Sequence, residues 1–273
     1  MMLMPPFNLH HPNTVEEACE LASSFIGNEE SFDWVAGGTD ILPNYKWHIN
    51  VKKHVISLAK IAGLDTISMH EIGAMARLGA LTTSDSVHPL IASAASKIAS
   101  SLVRNNATVG GNICLDTRCF WINQSEDWRR SIDWCHKEDC GTGSDCRVIP
   151  NQNTLCVATY QGDLAPSLIV LEGTIHIIGP HGPREVPAEA FFQLDGITRN
   201  ILEEGEFVLK VTFPQALKIE LAHTRNSVFE SRGIFQRPVL LPPGFVEIHH
   251  RYALHQQPWN RFLVRIKQKS MLR

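Results

Sequence analysis

The chain has 273 residues, of which 44% are hydrophobic and 19% charged, a composition typical of a folded protein with one large or two modest domains. Its formal net charge of -3 argues against nucleic-acid binding. No apolar run approaches the roughly 18 residues that a membrane-spanning helix needs, and the first twelve residues lack the pattern of a secretory signal. We therefore expect a cytoplasmic protein that binds neither nucleic acid nor membranes.

Short helices and strands are predicted to alternate through the first 215 residues. A helix is expected over 14–25, because Thr14 is a good N-cap and Glu17 follows three residues later. A second helix is expected over 88–102. The predicted strands lie over 34–36, 54–58, 74–81, 167–172, 174–178 and 206–213. Because these elements do not follow a regular β-α-β repeat, the predicted fold class is α+β.

Two glycine pairs suggest a dinucleotide site. The segments 36–40 (AGGTD) and 108–112 (TVGGN) each allow a tight turn whose backbone N–H groups can approach an anion closely. Either segment alone is most often only a turn, but two such segments suit the two phosphates of a dinucleotide. Neither matches the Rossmann fingerprint or a Walker loop, so those two folds are not supported.

Five of the seven cysteines fall within 38 residues, and this density indicates a metal centre. Seven cysteines are too few for a disulfide scaffold in a chain of this length. A four-cysteine zinc site usually shows paired C-x₂₋₄-C motifs, which are absent here, although zinc remains an alternative. The clustered cysteines are Cys119, Cys135, Cys140, Cys146 and Cys156.

Four segments together resemble the FAD-binding subunit of molybdenum hydroxylases, the family that includes the medium subunits of xanthine dehydrogenase and carbon monoxide dehydrogenase. The resemblance covers about residues 5–214. It implies a two-lobed FAD-binding fold of the vanillyl-alcohol-oxidase (PCMH) type, with an N-terminal lobe over 1–55 and a second lobe over 56–215. The four segments are 35–43, 77–83, 104–113 and 162–168.

The same resemblance implies which residues bind FAD, while assigning no catalytic residue to this chain. Asp163 matches a position near the nucleotide portion of FAD, although it could instead be a helix N-cap before Pro166. The implied cofactor-binding residues are Ala36, Gly37, Gly38, Thr39, Asp40, Thr108, Gly110, Gly111, Asn112 and Asp163.

Within this family, the insertion at about 115–160 resembles the β subunit of 4-hydroxybenzoyl-CoA reductase, which implies a [4Fe–4S] cluster held by four thiolates. Cys140 is the spare cysteine, and the choice between Cys140 and Cys146 as third ligand stays open. The expected ligands are Cys119, Cys135, Cys146 and Cys156.

Residues 216–273 differ from the rest of the chain. They contain ten Lys/Arg and three Glu, a balance of +7, so residues 1–215 carry -10. They lack the pattern of the family's C-terminal domain. We therefore expect an atypical basic tail, in place of a C-terminal domain that is truncated or frame-shifted.

The predicted function is that of an FAD- and [4Fe–4S]-binding electron-transfer subunit of a molybdenum-hydroxylase-type oxidoreductase. The expected partners are a molybdopterin-binding large subunit and a [2Fe–2S] small subunit, with ferredoxin or another electron carrier as a further possibility. Substrate chemistry would then occur on the large subunit. The alternative is a cysteine-rich zinc-binding or interaction protein without redox turnover, derived from a decayed flavoprotein.

Overall fold

The computed structural model describes residues 3–138, 145–151 and 155–214, and these residues form two β-sheets with short helices. The elements in chain order are β1 (Asn8–His10), α1 (Val15–Gly27), β2 (Phe32–Val35), α2 (Ile41–Lys46), β3 (His54–Ser57), a 3₁₀ turn (Leu58–Lys60), β4 (Glu71–Gly73), α3 (Leu78–Leu81), α4 (Pro89–Lys97), α5 (Ser101–Arg104), α6 (Val109–Ile113), α7 (Glu126–Ser131), α8 (Ala165–Val170), β5 (Thr174–Gly179), β6 (Gly182–Pro187), α9 (Ala188–Phe191) and β7 (Phe207–Thr212).

The first sheet is parallel, with strand order β1-β3-β2. Helix α1 connects its first two strands and begins as predicted, because the Thr14 hydroxyl accepts a hydrogen bond from the Glu17 N–H at 3.1 Å. Ala18, Ala22 and Phe25 form the buried face of this helix. Helix α2 follows β2 directly, so the first glycine pair lies in the turn between them.

The second sheet is antiparallel, with strand order β4-β7-β5-β6. Its central strand β5 alternates between buried and partly exposed residues, the pattern of a sheet with one face on the core. Helices α3, α4, α6, α8 and α9 contribute to the same core. Its fully buried members include Leu78, Leu81, Ile91, Ile113, Leu164, Leu168, Ile175, Ile177, Phe191 and Val211. The α+β class predicted from the sequence is confirmed by this architecture.

Two predicted strands are helices in the structure. The segment 74–81 contains helix α3, and strand β4 ends just before it at Gly73. The segment 167–172 lies mostly within helix α8, where Pro166 occupies the first turn and stabilises a helical start. The cause of both errors is the same: a short apolar run has no clear period that separates strand from helix.

The predicted helix over 88–102 is two helices. Helix α4 ends at Lys97, and Ala99 has a φ of 42°, which breaks the helical path. Ser100 then caps α5 by accepting from the Val103 N–H at 3.3 Å. In the part of the chain that the structure describes, no helix is long and apolar enough to cross a membrane.

The core position of Ile175 gives a test of the second sheet. Ile175 is fully buried on the central strand β5, so Ile175→Ala should lower the free energy of unfolding by about 2–5 kcal/mol, because it leaves a cavity that the sheet cannot close. Ile175→Val removes one methylene and should cost about 0.5–1.5 kcal/mol. Urea unfolding of the two variants and the wild type measures both values. Equal costs would contradict the packing described here.

Candidate functional site

The two glycine segments lie side by side. A Cβ atom on Gly37 would stand 1.9 Å from the carbonyl oxygen of Asn106 and 3.3 Å from the Cα of Ala107. Real Cβ atoms do not approach backbone this closely, so only glycine fits at position 37. The structure therefore brings together the two segments that are seventy residues apart in the sequence.

The first segment offers unused backbone donors. Gly38 has a φ of 68°, a conformation that favours glycine. Among the residues that the structure describes, no acceptor receives the N–H groups of Gly37, Gly38 or Thr39. Consecutive N–H groups in such a turn form a concave site for an anion. This segment can therefore hold a phosphate group with its backbone.

The second segment is already hydrogen-bonded within the protein. The N–H groups of Val109 and Gly110 donate to the carbonyls of Ala76 (2.9 Å) and Ala74 (2.8 Å). The Thr108 hydroxyl accepts from the Gly111 N–H at 3.1 Å and caps α6. These bonds hold α6 rigidly, whereas the sequence interpretation assigned its whole backbone to the cofactor.

Gly111 is the exposed glycine of the second segment. A Cβ at this position would meet only the Thr108 hydroxyl, at 3.0 Å, and would otherwise project into open space. Gly110, in contrast, is buried, and a Cβ there would stand 2.8 Å from that of Ala74. Gly110 is therefore explained by internal packing, whereas the space outside Gly111 is open.

Asn112 and Asp163 lie close together, because the Asn112 side chain contacts the backbone next to Asp163. The Asn112 side-chain oxygen accepts from the Leu164 N–H at 3.1 Å, which places Asp163 beside the second glycine segment. Asp163 immediately precedes Leu164, the N-cap residue of α8. Asp163 is exposed. It is therefore accessible to a ligand.

Tyr160 stabilises the end of α6, a role that was not predicted from the sequence. Its hydroxyl donates to the carbonyls of Asn112 (3.0 Å) and Ile113 (2.9 Å), which are at the end of α6. Burial raises the pKa of Tyr160 well above its usual value, so the hydroxyl remains a donor. Nothing in its sequence context distinguished it from a core aromatic residue.

Asp40 connects the first glycine segment with the cysteine-rich insertion. Its carboxylate forms an ion pair with Arg118, and the same guanidinium donates to the side-chain oxygen of Asn44 at 2.7 Å. Arg118 immediately precedes Cys119. The carboxylate of Asp40 therefore contacts the insertion, in addition to any role beside a cofactor.

The four cysteines chosen from the sequence line one pocket. Cys135, Cys146 and Cys156 are buried and Cys119 is partly exposed. Burial raises the pKa of the Cys135 thiol, and it raises that of Cys156 to about 11. Cys140 lies outside the described residues.

The thiols do not form the ligand set of a single ion. Among the described residues, no group of three or more His, Cys, Asp or Glu side chains is arranged to hold one metal ion. A zinc site needs four sulfur atoms at about 2.3 Å from one point. An iron–sulfur cubane instead takes one thiolate at each of its four irons, so its ligands are spread around a larger group.

Arg129 attaches the insertion to Trp47 and His48, in the N-terminal part of the chain. Its side chain is fully buried and donates to the carbonyls of Trp47 and His48, each at 2.9 Å. It also forms an ion pair with the buried Glu138. These contacts pack this part of the insertion against the N-terminal part of the chain.

Lys137 attaches the insertion to the loop that contains Gly196. Its Nζ donates to the Asp116 carboxylate at 2.9 Å, the Thr117 hydroxyl at 2.8 Å and the Gly196 carbonyl at 2.7 Å. The residue is buried and also lines the cysteine pocket. The sequence analysis did not identify it, since a lysine in a polar loop is usually solvated.

Residues 5–216 match the family described as the FAD binding domain in molybdopterin dehydrogenase. The chain belongs to this family. The match covers both glycine segments, the insertion and Asp163, and it confirms the family resemblance drawn from the four sequence segments. FAD is therefore the cofactor expected between the paired segments.

Curated relatives agree with this assignment. The chain is 27% identical to the aldehyde oxidoreductase FAD-binding subunit of Escherichia coli K12, covering 78% of this chain and 70% of the relative. It is also 27% identical to the carbon monoxide dehydrogenase medium chain of Hydrogenophaga pseudoflava, covering 78% of this chain and 60% of the relative. The chain thus spans about two thirds of the length of these relatives.

Solved structures show the same fold. Carbon monoxide dehydrogenase from Hydrogenophaga pseudoflava superimposes with a TM-score of 0.55 at 27% identity, over 78% of this chain and 60% of that one. Quinoline 2-oxidoreductase from Pseudomonas putida 86 gives a TM-score of 0.56 at 20% identity, over the same shares of the two chains. The two-lobed FAD-binding fold is therefore confirmed.

Arg129 and Arg130 provide a matched pair for testing the attachment of the insertion. Arg129→Met should lower the free energy of unfolding by about 3–5 kcal/mol, because it leaves Glu138 buried without its partner. Arg130 is the next residue on α7 and is exposed, so Arg130→Met should cost at most about 1 kcal/mol. Urea unfolding followed by tryptophan fluorescence measures both. A small cost for Arg129→Met would show that the buried ion pair does not hold the insertion.

Proposed function

We propose that this chain is an FAD- and [4Fe–4S]-binding electron-transfer subunit of a molybdenum-hydroxylase-type oxidoreductase. The observation that carries the proposal is the shared pocket of Cys119, Cys135, Cys146 and Cys156 within an FAD-binding fold. FAD supplies two-electron redox chemistry and the cluster one-electron chemistry, so a chain with both can relay electrons. We assign no catalytic residue to it.

The paired glycine segments fit the FAD pyrophosphate. The N–H groups of Gly37, Gly38 and Thr39 would donate to phosphate oxygens, while Gly111 permits close approach from the opposite segment. Thr108 and Asn112 hold this second segment in place through their side chains. Asp163 is available to the nucleotide portion. Asp40 would act mainly through Arg118.

The cysteine pocket fits a cluster by its chemistry. Four thiols around one pocket match the ligand number of a cubane, and the fully buried Ile122 lies among the other lining residues. Thiolates form when iron binds, since the metal displaces the protons from these thiols. We keep Cys146 as the third ligand in preference to Cys140.

The remaining assignments follow from the same proposal. Relatives are named as FAD-binding or medium subunits, which supports assembly with a molybdopterin-binding large subunit and a [2Fe–2S] small subunit. Ferredoxin is a candidate external carrier, and the cytoplasm is the proposed compartment. We divide the chain into lobes over 1–55 and 56–215 and a basic segment over 216–273. Residues 215–273 lie outside the described residues.

Glycine variants test the FAD site. Gly38→Val and Gly111→Val should each abolish stoichiometric FAD. A branched side chain at Gly111 would separate the cofactor from the backbone, and one at Gly38 would distort the turn, because φ is 68° and a Cβ there would stand 2.9 Å from the Leu42 side chain. Gly63→Val is the control for Gly38, since it has a φ of 82° and open space around its Cβ position. It should keep FAD despite the same backbone strain of about 1–3 kcal/mol.

Flavin content after gel filtration measures the outcome. Gly27→Val, at a helix end with open space around it, is the corresponding control for Gly111→Val. Full FAD occupancy in both Gly38→Val and Gly111→Val would remove this site assignment.

Cysteine variants test the cluster. Cys146→Ser and Cys156→Ser should each abolish or strongly degrade the iron–sulfur signal, because serine oxygen is a poor ligand for iron in such clusters. Cys140→Ser and the distant Cys19→Ser should retain it. Iron and sulfide analysis of anaerobically purified protein, together with its visible spectrum, gives the measurement.

The same metal measurements distinguish this proposal from the alternative function. A colourless protein with one zinc per chain would favour the zinc-binding or interaction protein. Loss of iron in Cys140→Ser with retention in Cys146→Ser would show that Cys140 is the third ligand.

A further inference from the structure

Lys137 presents a buried positive charge to the cysteine pocket. Its side chain is 5% exposed and it lies two residues after Cys135. Three hydrogen bonds, to Asp116, Thr117 and the carbonyl of Gly196, fix the position of its ammonium group. Fixing a long side chain so completely costs conformational entropy, which solvated lysines avoid. The position of this charge is therefore determined by the fold.

The counter-charge of Lys137 is a carboxylate outside the pocket lining. Lys137 lines the cysteine pocket, whereas Asp116 is not among the lining residues. Asp116 is also shared, because the Arg199 guanidinium lies 3.6 Å from the same carboxylate oxygen. Two cations therefore face one carboxylate in this group.

Cys156 is the thiol connected most directly to this ammonium group. Lys137 and Cys156 line the same pocket. The loop that accepts from Lys137 also holds Cys156, since the Gly196 N–H donates to the Cys156 carbonyl at 2.7 Å. Lys137 is thus connected to this cysteine both through the pocket and through the backbone.

We propose that Lys137 is a positioning residue that raises the reduction potential of the cluster in the cysteine pocket by holding a positive charge beside its Cys156 side. This proposal rests on the proposed [4Fe–4S] function. One-electron reduction makes the cluster and its thiolates more negative by one charge. A fixed cation stabilises that reduced state more than the oxidised state, and charge and hydrogen bonding near the sulfurs are known determinants of cluster potential.

Asp116 has the opposite effect in this arrangement. It holds the ammonium group, but its negative charge also reduces the field that reaches the pocket. Replacing Lys137 by a neutral residue should therefore lower the potential, and replacing Asp116 by its neutral isostere should raise it. A purely structural role would not produce shifts of opposite sign.

The test is a potentiometric titration of the cluster in the full chain. Anaerobically purified wild type, Lys137→Met, Lys137→Arg and Asp116→Asn are titrated with dithionite and followed by electron paramagnetic resonance. Lys210→Met is the charge control, because Lys210 is paired with Glu71 on the second sheet. Iron content is measured for every variant.

We expect Lys137→Met to make cluster reduction at least tenfold less favourable, which corresponds to 59 mV for a one-electron couple. Asp116→Asn should shift the potential in the positive direction, while Lys137→Arg and Lys210→Met should stay within tenfold of the wild type. If Lys137→Met does not fold, the sign of the Asp116→Asn shift still decides the question.

Different results would overturn the cluster assignment and the role of Lys137. Wild-type protein without four irons per chain would overturn the cluster assignment, and the role of Lys137 with it. Iron-loaded variants with unchanged potentials, or shifts of the same sign in Lys137→Met and Asp116→Asn, would overturn only the role of Lys137.

Discussion

The contact between Gly37 and the backbone of Asn106 is the constraint on which the site depends. Any side chain at position 37 would occupy the space of the Asn106 carbonyl, so the turn after β2 can meet the segment before α6 only through glycine. This contact joins the turn after β2 to the segment that leads into α6, close to both glycine pairs. The surrounding hydrogen bonds then make one segment rigid and leave the donors of the other unused. A preorganised anion site results, because little rearrangement is needed when phosphate binds.

The cysteine-rich insertion is stabilised by buried charges more than by an apolar core of its own. Its small apolar cluster contains Ile49, Ile122 and Cys135, with Cys119 at the edge. Arg129 and Lys137 instead attach it to the rest of the fold through three hydrogen bonds, from Arg129 to the carbonyls of Trp47 and His48 and from Lys137 to the carbonyl of Gly196. Buried ion pairs contribute specificity of position more reliably than net stability. For a metal centre this property is useful, since the arrangement of its ligands depends on where the insertion is held.

The sequence predicted the parts of this molecule that local pattern determines. Thr14 marked the start of α1, and the alternation in β5 marked a strand, because capping and periodicity act over a few residues. The apolar runs in α3 and α8 were misassigned since runs this short carry no clear periodic signal. The sequence also selected four cysteines that share a pocket, on the basis of resemblance. It could not identify Arg118, Lys137 or Tyr160, because each acts through partners more than twenty residues away in the chain or through the carbonyls of a distant helix.

One short path links the two proposed cofactor sites, and it explains why Asp40 is part of the first glycine segment. Asp40 ends that segment and pairs with Arg118, which precedes Cys119 and also exchanges two backbone hydrogen bonds of 2.8 Å with Thr159. Thr159 lies three residues after Cys156 and one before Tyr160, whose hydroxyl supports α6. Both glycine segments and two of the four cysteines are therefore connected through Arg118 and its immediate neighbours. Such a connection would fix the separation between the two proposed redox groups, on which electron transfer between them would depend.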